Sequence, residues 1–172
     1  MKRILFLGDS LVEYGDWRRL LPEFSVINRG ISGETLAELS VRIADELGAH
    51  PGAEALVLQS GTNDLWNGNP AYPAIYRTLL PRLRLLLESD AVPVILCGLA
   101  PVSLAPPDTI AAINDELREI AAGVANCRFL DMREIFAAAT DGPLFESDGV
   151  HFTDKGYAAW AGALAGCLAE AL

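Results

Sequence analysis

Four short polar segments hold the side chains of this sequence that could do chemistry. They are Gly8-Asp9-Ser10-Leu11, Gly30-Ile31-Ser32-Gly33-Glu34-Thr35, Gly61-Thr62-Asn63-Asp64 and Asp148-Gly149-Val150-His151. Each segment taken alone is an ordinary turn, because Gly, Asp, Asn and Ser end strands and cap helices for local reasons. Together they supply a hydroxyl, a glycine amide, a carboxamide and an imidazole with a nearby carboxylate. This combination of groups is the one that acyl transfer requires.

The general base can be chosen by elimination. A serine hydroxyl is a weak nucleophile and needs a base within hydrogen-bonding reach, and histidine suits this role because its unperturbed pKa of about 6.5 is near neutral pH. The chain has only two histidines, and His50 lies in the connection Gly48–Gly52, at the amino end of a predicted strand. We therefore expect His151 to activate Ser10, and Asp148 to accept the Nδ1 proton and orient the ring.

The elements that must position these residues alternate along the chain. Short apolar runs of strand length alternate with segments of helical period, which predicts a parallel sheet covered by helices on both faces. The five predicted strands are Arg3–Leu7, Ser25–Asn28, Ala55–Gln59, Val92–Cys97 and Cys127–Leu130. Apolar stripes at helical spacing lie between and after them, at 36–47, 75–86, 110–120 and 157–168. Ligands bind beyond the carboxyl ends of such strands, and the polar segments follow those ends.

The four segments occur in the order that defines the SGNH hydrolases, also called GDSL-type hydrolases, and the chain resembles this family over nearly its whole length. Ser10, Gly33, Asn63 and His151 match the four residues for which the family is named. The fourth segment continues into Phe152-Thr153 and Gly156-Tyr157, which also match. Two neighbouring positions depart from the common pattern: Val12 replaces a Ser or Thr, and Leu36 replaces a Thr. These departures leave the expected catalytic residues intact but weaken any transfer of substrate preference.

The resemblance implies a fold and a reaction. The implied fold is a three-layer α/β/α sandwich with a five-stranded parallel sheet of flavodoxin-like type, in a single domain over residues 1–172. The implied reaction is hydrolysis of short to medium acyl esters or thioesters by a Ser-His-Asp triad through an acyl-enzyme. The family includes acyl-thioesterases, lysophospholipases and carbohydrate acetylesterases. No cofactor and no metal are expected.

The oxyanion of such a reaction needs hydrogen-bond donors that are fixed in advance. The resemblance implies three of them: the backbone N–H groups of Ser10 and Gly33, and the side-chain amide of Asn63. Several aromatic side chains near the four segments could line a groove for the acyl group, although aromatic residues at such places are as often part of the core. Those chosen as candidate substrate-binding residues are Trp17, Trp66 and Phe152, with Tyr14 and Phe145 as further possibilities.

Two alternatives remain open on sequence grounds. Asp9 and Asp64 could instead hold Mg²⁺ for phosphoryl transfer on the same fold, although this leaves His151, Asn63 and Gly33 unexplained. In the SGNH interpretation the two carboxylates are structural and bond loop amides. A non-catalytic binding domain on the same fold is the second alternative.

Composition limits the partners. The net charge of −10 disfavours binding to nucleic acid or to anionic membrane surfaces, and no apolar stretch is long enough for a membrane span. The apolar run Ile4–Leu7 is too short for a signal peptide, so a cytoplasmic location is expected. Three separated cysteines suggest buried thiols rather than disulfides. The expected partner is a small-molecule ester or thioester, and oligomeric state is not predicted.

Overall fold

The computed structural model of the protein describes residues 1–87 and 89–172. Its five strands are β1 (Lys2–Gly8), β2 (Phe24–Gly30), β3 (Ala55–Gln59), β4 (Val94–Cys97) and β5 (Cys127–Leu130). All neighbouring strands pair in parallel, in the order β2-β1-β3-β4-β5. This is the flavodoxin-like order, so the predicted fold class is confirmed.

The predicted strand positions match the sheet closely. The bounds of β3 and β5 are as expected, while β1 and β2 extend further at both ends. β4 begins only at Val94, after Pro93, whose nitrogen has no hydrogen to donate to a strand ladder. Burial on both faces, expected for all five strands, holds for the central strands β3 and β4 and for most of β1. β2 and β5 are edge strands and are only partly buried.

The helices form two groups. They are α1 (Ser10–Glu13), α2 (Trp17–Leu20), α3 (Leu36–Ala49), α4 (Thr62–Trp66), α5 (Pro73–Leu86), α6 (Pro107–Ala122), α7 (Met132–Ala138) and α8 (Asp154–Ala171). α5 packs against both α3 and α6, while α8 packs against α2 and α7. The two groups cover opposite faces of the sheet, as right-handed crossovers require, and complete the three layers. Each group of helices buries apolar side chains in the core.

The chain leaves β1 toward β2 on one side and later returns to β3 on the other. β1 and β3 therefore flank the point where the strand order reverses, which is where open sheets bind ligands. Gly8 makes the end of β1 possible. A Cβ at this position would lie 2.0 Å from the backbone oxygen of Gln59 and 2.6 Å from Cγ2 of Val12. The absence of a side chain therefore lets α1 begin tightly against the sheet.

Replacement of Gly8 by alanine should destabilise the protein, because β1 must move away from β3 or α1 must lift. We expect Gly8→Ala to lower the free energy of unfolding by about 1–3 kcal/mol, measured by urea denaturation. The matched control is Gly162→Ala on the exposed side of α8, where no described atom lies within 4 Å of the new Cβ. The control should be neutral or stabilising by up to about 1 kcal/mol. Equal stability of Gly8→Ala and the wild type would contradict the close approach.

Candidate active site

A cavity of about 280 Å³ lies at the carboxyl edge of the sheet, where the four polar segments meet. The predicted residues Ser10, Gly33, Asn63, Asp148 and His151 all line it. They arrive from different elements: Ser10 from α1 after β1, Gly33 from the loop after β2, and Asn63 from α4 after β3. Asp148 and His151 come from the loop between α7 and α8. The structure thus brings together residues that are separated by most of the chain.

Ser10 stands at the first position of α1. Asp9 caps this helix with its side chain, because its Oδ1 accepts a hydrogen bond of 3.0 Å from the backbone N–H of Leu11. Ser10 is only 6% exposed, and its surface opens to the cavity. Its Oγ lies 3.1 Å from Nε2 of His151. The hydroxyl is therefore within reach of a base that can take its proton.

The ring of His151 is fixed from its other side by Asp148. Oδ2 of Asp148 lies 2.6 Å from Nδ1 of the ring, and Oδ1 accepts the backbone N–H groups of Val150 and His151 at 2.8 and 2.9 Å. Gly149 between them adopts φ +69°, a left-handed conformation that suits glycine. The hydrogen bond with His151, followed by those with the two backbone amides, lowers the pKa of Asp148 to about 2. Asp148 is therefore a carboxylate at neutral pH and can accept a hydrogen bond from Nδ1–H of His151.

Gly33 and Asn63 line the same cavity as Ser10 and His151. Gly33 adopts φ +81°, a region that residues with a Cβ rarely occupy. Asn63 sits in α4, which starts after Gly61 (φ +123°), and its Nδ2 donates to the backbone oxygen of Glu34 at 3.0 Å. A primary amide has two hydrogens to donate. The second hydrogen of Asn63 is free for a group in the cavity.

The carboxylates of Asp9 and Asp64 lie beneath the cavity and line none of it. Both are buried, at 0% and 3% exposure. Oδ2 of Asp64 accepts the backbone N–H of Leu36 at 2.9 Å, as Asp9 accepts that of Leu11. Burial raises the pKa of both carboxylates, and it raises that of Asp9 to about 7. The hydrogen bonds that Asp9 accepts from the N–H of Leu11 and from the Thr62 hydroxyl lower its pKa and offset part of this effect. Both carboxylates accept backbone N–H groups in the first turns of α1 and α3, rather than the loop amides expected from the sequence.

The three aromatic candidates for substrate binding lie in three different places. Trp66 lines the cavity and is 71% exposed. Phe152 is buried and borders a neighbouring cavity of about 490 Å³ on the far side of His151. Trp17 is packed in the core against Trp160, and its Nε1 donates to the backbone oxygen of Val12. Among the described residues, only Trp66 of these three borders the catalytic cavity.

Other residues complete the cavity wall. Tyr14, a further possibility from the sequence, lines the cavity, and its ring packs 5.5 Å from that of His151. The hydroxyl of Tyr14 also hydrogen-bonds Oγ of Ser32 at 2.9 Å. Leu104 and Val150 line the cavity as well and were not among the predicted substrate-binding residues. Leu104 comes from a proline-rich connection whose path a sequence does not show.

The second histidine lies far from this cavity. His50 caps the carboxyl end of α3, where its backbone N–H donates to the oxygens of Glu46 and Leu47. Its side chain borders a different cavity at the amino end of the sheet. His151 is thus the histidine that meets Ser10.

Metal sites and membrane-spanning helices are both absent from the described residues. Within residues 1–87 and 89–172, no three His, Cys, Asp or Glu side chains are grouped closely enough to hold a metal ion. In the same residues, no helix has the length and apolar character needed to cross a membrane.

Fold and cavity together define a hydrolase that acts on ester bonds. The sequence profile of the GDSL-like Lipase/Acylhydrolase family matches residues 6–159. The chain therefore belongs to this family, as the four segments predicted. A comparison of this chain with curated protein sequences found no match.

Solved structures with the same fold include several esterases. A lipase/acylhydrolase from Enterococcus faecalis is 20% identical, with a TM-score of 0.79 over 98% of this chain and 95% of that one. A serine-to-alanine mutant of an acetyl esterase, solved with an acetate ion, is 21% identical, with a TM-score of 0.81 over 99% and 97%. A family 3 carbohydrate esterase from Clostridium thermocellum is 20% identical, with a TM-score of 0.74 over 95% and 92%. At these identities the likeness establishes the fold.

The raised pKa of Asp9 predicts a specific pH dependence of stability. The folded protein keeps this proton up to about pH 7, whereas an unfolded aspartate releases it near pH 3.8. The folded state thus binds more protons between these values, and stability falls as the pH rises through that window. Asp9→Asn keeps an oxygen for the N–H of Leu11 but has no charge to bury. The variant should therefore gain stability relative to the wild type as the pH rises.

Urea unfolding of wild type and Asp9→Asn at about pH 5 and about pH 8 measures this difference, since contributions of all other groups are common to both proteins. A gap in unfolding free energy that stays constant between the two pH values would show that Asp9 is ionised throughout.

Proposed function

We propose that this protein is a serine esterase that cleaves short to medium acyl esters or thioesters through a covalent acyl-enzyme. One observation carries the proposal: a continuous hydrogen-bonded chain runs from Oγ of Ser10 through the His151 ring to Asp148, with distances of 3.1 and 2.6 Å. Membership in the acylhydrolase family supports the same reaction.

The first half of the reaction forms the acyl-enzyme. Oγ of Ser10 attacks the carbonyl carbon, and its proton passes to Nε2 of His151. Asp148 holds Nδ1–H and stabilises the imidazolium that forms, since its low pKa keeps it charged. The imidazolium then returns the proton to the oxygen or sulfur of the leaving group, which departs as an alcohol or thiol.

The oxyanion forms on the side of the cavity opposite His151. We assign its donors as the free hydrogen of the Asn63 amide and the backbone N–H groups of Gly33 and Ser10. Gly33 N–H makes no hydrogen bond within the described part of the chain, and Ser10 N–H lies in a first helical turn, where no intrahelical acceptor exists. Donors that are already fixed cost no reorganisation when the charge develops.

Water completes the reaction along the same path. His151 takes a proton from a water molecule as its oxygen attacks the acyl carbon. The bond between that carbon and Oγ of Ser10 then breaks, the carboxylic acid leaves, and the imidazolium returns the proton to Oγ. The cavity volume of about 280 Å³ and its partly apolar wall of Trp66, Leu104 and Val150 fit a short to medium acyl chain. An acetyl esterase is among the solved structures with this fold, which agrees with a small acyl group.

The magnesium alternative has less support. Asp9 and Asp64 do not line the cavity, and one oxygen of each already accepts a backbone N–H. The esterase proposal also assigns a role to His151, Asn63 and Gly33.

Loss of the nucleophile tests the proposal directly. We expect Ser10→Ala to abolish hydrolysis of p-nitrophenyl acetate and butyrate while the thermal unfolding curve is retained, because no other described hydroxyl has an imidazole partner. Ser25→Ala, an exposed position in β2, is the matched control and should keep wild-type activity. A fluorophosphonate probe should label the wild type once, at Ser10. Wild-type turnover by Ser10→Ala would exclude the proposed mechanism.

The role of Asp148 predicts a loss without a change in size. Asp148→Asn can present an N–H to Nδ1 of His151 and so favours the wrong tautomer. In a serine protease with this constellation the same change lowers kcat about 10⁴-fold, and we expect a loss of roughly 10²–10⁴-fold here. Asp141→Asn, an exposed position in the same loop, serves as the control and should leave kcat unchanged. A loss for Asp148→Asn of less than about tenfold would reduce the site to a Ser10–His151 dyad.

A further inference from the structure

Four charged side chains form a connected ion-pair network beside the catalytic cavity that the proposed mechanism does not use. The network consists of Arg29 at the end of β2, Glu34 in the following loop, and Arg42 and Glu46 on α3. Arg42 binds both oxygens of Glu34 through Nε and Nη2, at 2.5 and 2.7 Å, and contacts Glu46 at 2.9 Å. Arg29 binds both oxygens of Glu46 at 2.8 and 2.9 Å.

The network is costly for stability alone. The side chains of Glu34, Glu46 and Arg42 are only 6%, 8% and 17% exposed, so their charges have lost most of their water. Apolar residues of similar size often stabilise a protein as well as or better than a buried ion pair does. Stability alone therefore does not account for the network.

Glu34 connects the network to the two proposed oxyanion donors. It follows Gly33 directly, so the peptide N–H of Gly33 and the carbonyl of Glu34 belong to one short turn, closed by the N–H of Glu34 to the oxygen of Ile31. That carbonyl accepts the Nδ2 hydrogen bond of Asn63 at 3.0 Å. Movement of residue 34 would thus displace Gly33 and rotate the amide of Asn63 together.

The backbone of this turn is held on both sides of residues 33 and 34. Before them, the N–H of Ile31 donates to the oxygen of Gly8 at 2.9 Å, and the N–H of Ser32 donates to Oε2 of Glu13 at 2.7 Å. After them, Asp64 anchors the N–H of Leu36, and Thr35 with Glu38 forms a capping box. At Gly33 itself, no described atom beyond its chain neighbours lies within 4 Å of the place where a Cβ would stand. The bidentate pair with Arg42 is the contact that holds the side chain of residue 34. Arg42 is itself held, because its Nη2 also donates to the backbone oxygen of Arg29 at 2.8 Å.

We propose that Arg42 is a positioning residue for catalysis, which fixes Glu34 and thereby the Gly33 amide and the Asn63 side chain that stabilise the oxyanion. This inference rests on the proposed esterase function. Arg42 does not line the catalytic cavity. It acts through Glu34, and only an arginine can form both hydrogen bonds in one plane.

The test is a double-mutant cycle between Arg42→Met and Asn63→Ala, with kcat and KM measured on p-nitrophenyl acetate. We expect Arg42→Met to lower kcat by about tenfold or more, with KM within about twofold, because the donors act mainly on the transition state. In the Asn63→Ala background the same change should lower kcat much less, since part of its effect is already lost. Arg42→Lys should recover only part of kcat, because one ammonium replaces two planar donors.

A general loss of stability is separated by a matched control. Arg133→Met breaks another partly buried bidentate pair, with Asp131 at 3.1 and 2.7 Å, but Arg133 lies on α7 away from the cavity. It should lower the thermal midpoint and leave kcat unchanged. Should Arg42→Met not fold, Glu34→Gln replaces it in the cycle: it keeps the backbone carbonyl and the side-chain size, and we expect the same non-additive loss in kcat.

The outcomes distinguish the inference from the proposed function. A folded Arg42→Met or Glu34→Gln with wild-type kcat, or with a loss that is fully additive to that of Asn63→Ala, would overturn the positioning role while leaving the esterase proposal intact. An active Ser10→Ala would instead overturn the proposed function. An unaltered kcat for Asn63→Ala would remove the oxyanion role of Asn63, and either result takes away the basis of the inference.

Discussion

A hydrogen bond of 3.1 Å between Oγ of Ser10 and Nε2 of His151 joins two residues that are 141 positions apart in the chain. The rest of the site depends on this contact, because neither group performs the proposed chemistry without the other. The parallel sheet makes the contact possible. β1 ends two residues before the serine, and the chain runs through all later strands and α7 back to the same edge before α8 begins. Asp148 then fixes the ring within the four-residue turn 148–151.

The same edge requires polar groups to be buried beneath the cavity. Asp9 and Asp64 accept the backbone amides that start α1 and α3, and Glu34 accepts Arg42. Each of these contacts removes a charge or an amide from water and must be matched by a partner, since an unmatched buried polar group destabilises the fold. Stability and catalytic geometry are therefore determined by the same few hydrogen bonds. A substitution there affects both, which is why kinetic readouts must accompany unfolding experiments.

Much of the fold and the central residues of the candidate site could be predicted from the sequence. The apolar runs located all five strands, because buried parallel strands are continuous in Val, Ile, Leu and Phe, and the four polar segments pointed to one sheet edge. Three-dimensional neighbours could not be predicted. Trp17 lies in the core because α2 folds back onto α8. The i,i+4 spacing of Arg42 and Glu46 alone would predict an ordinary exposed helical pair. Their burial depends on Arg29 and Glu34, which only the fold brings near.

Trapping of the acyl-enzyme is the most direct test of Ser10 as the nucleophile. The protein is mixed with p-nitrophenyl acetate, quenched in acid during turnover, digested and examined by mass spectrometry. The proposed mechanism predicts one acetyl group on the peptide that contains Ser10. If hydrolysis of the intermediate is slow, a burst of p-nitrophenol equal to the enzyme concentration accompanies it. Without enzyme, no burst occurs. An acetyl group found only on another residue would contradict the proposed mechanism.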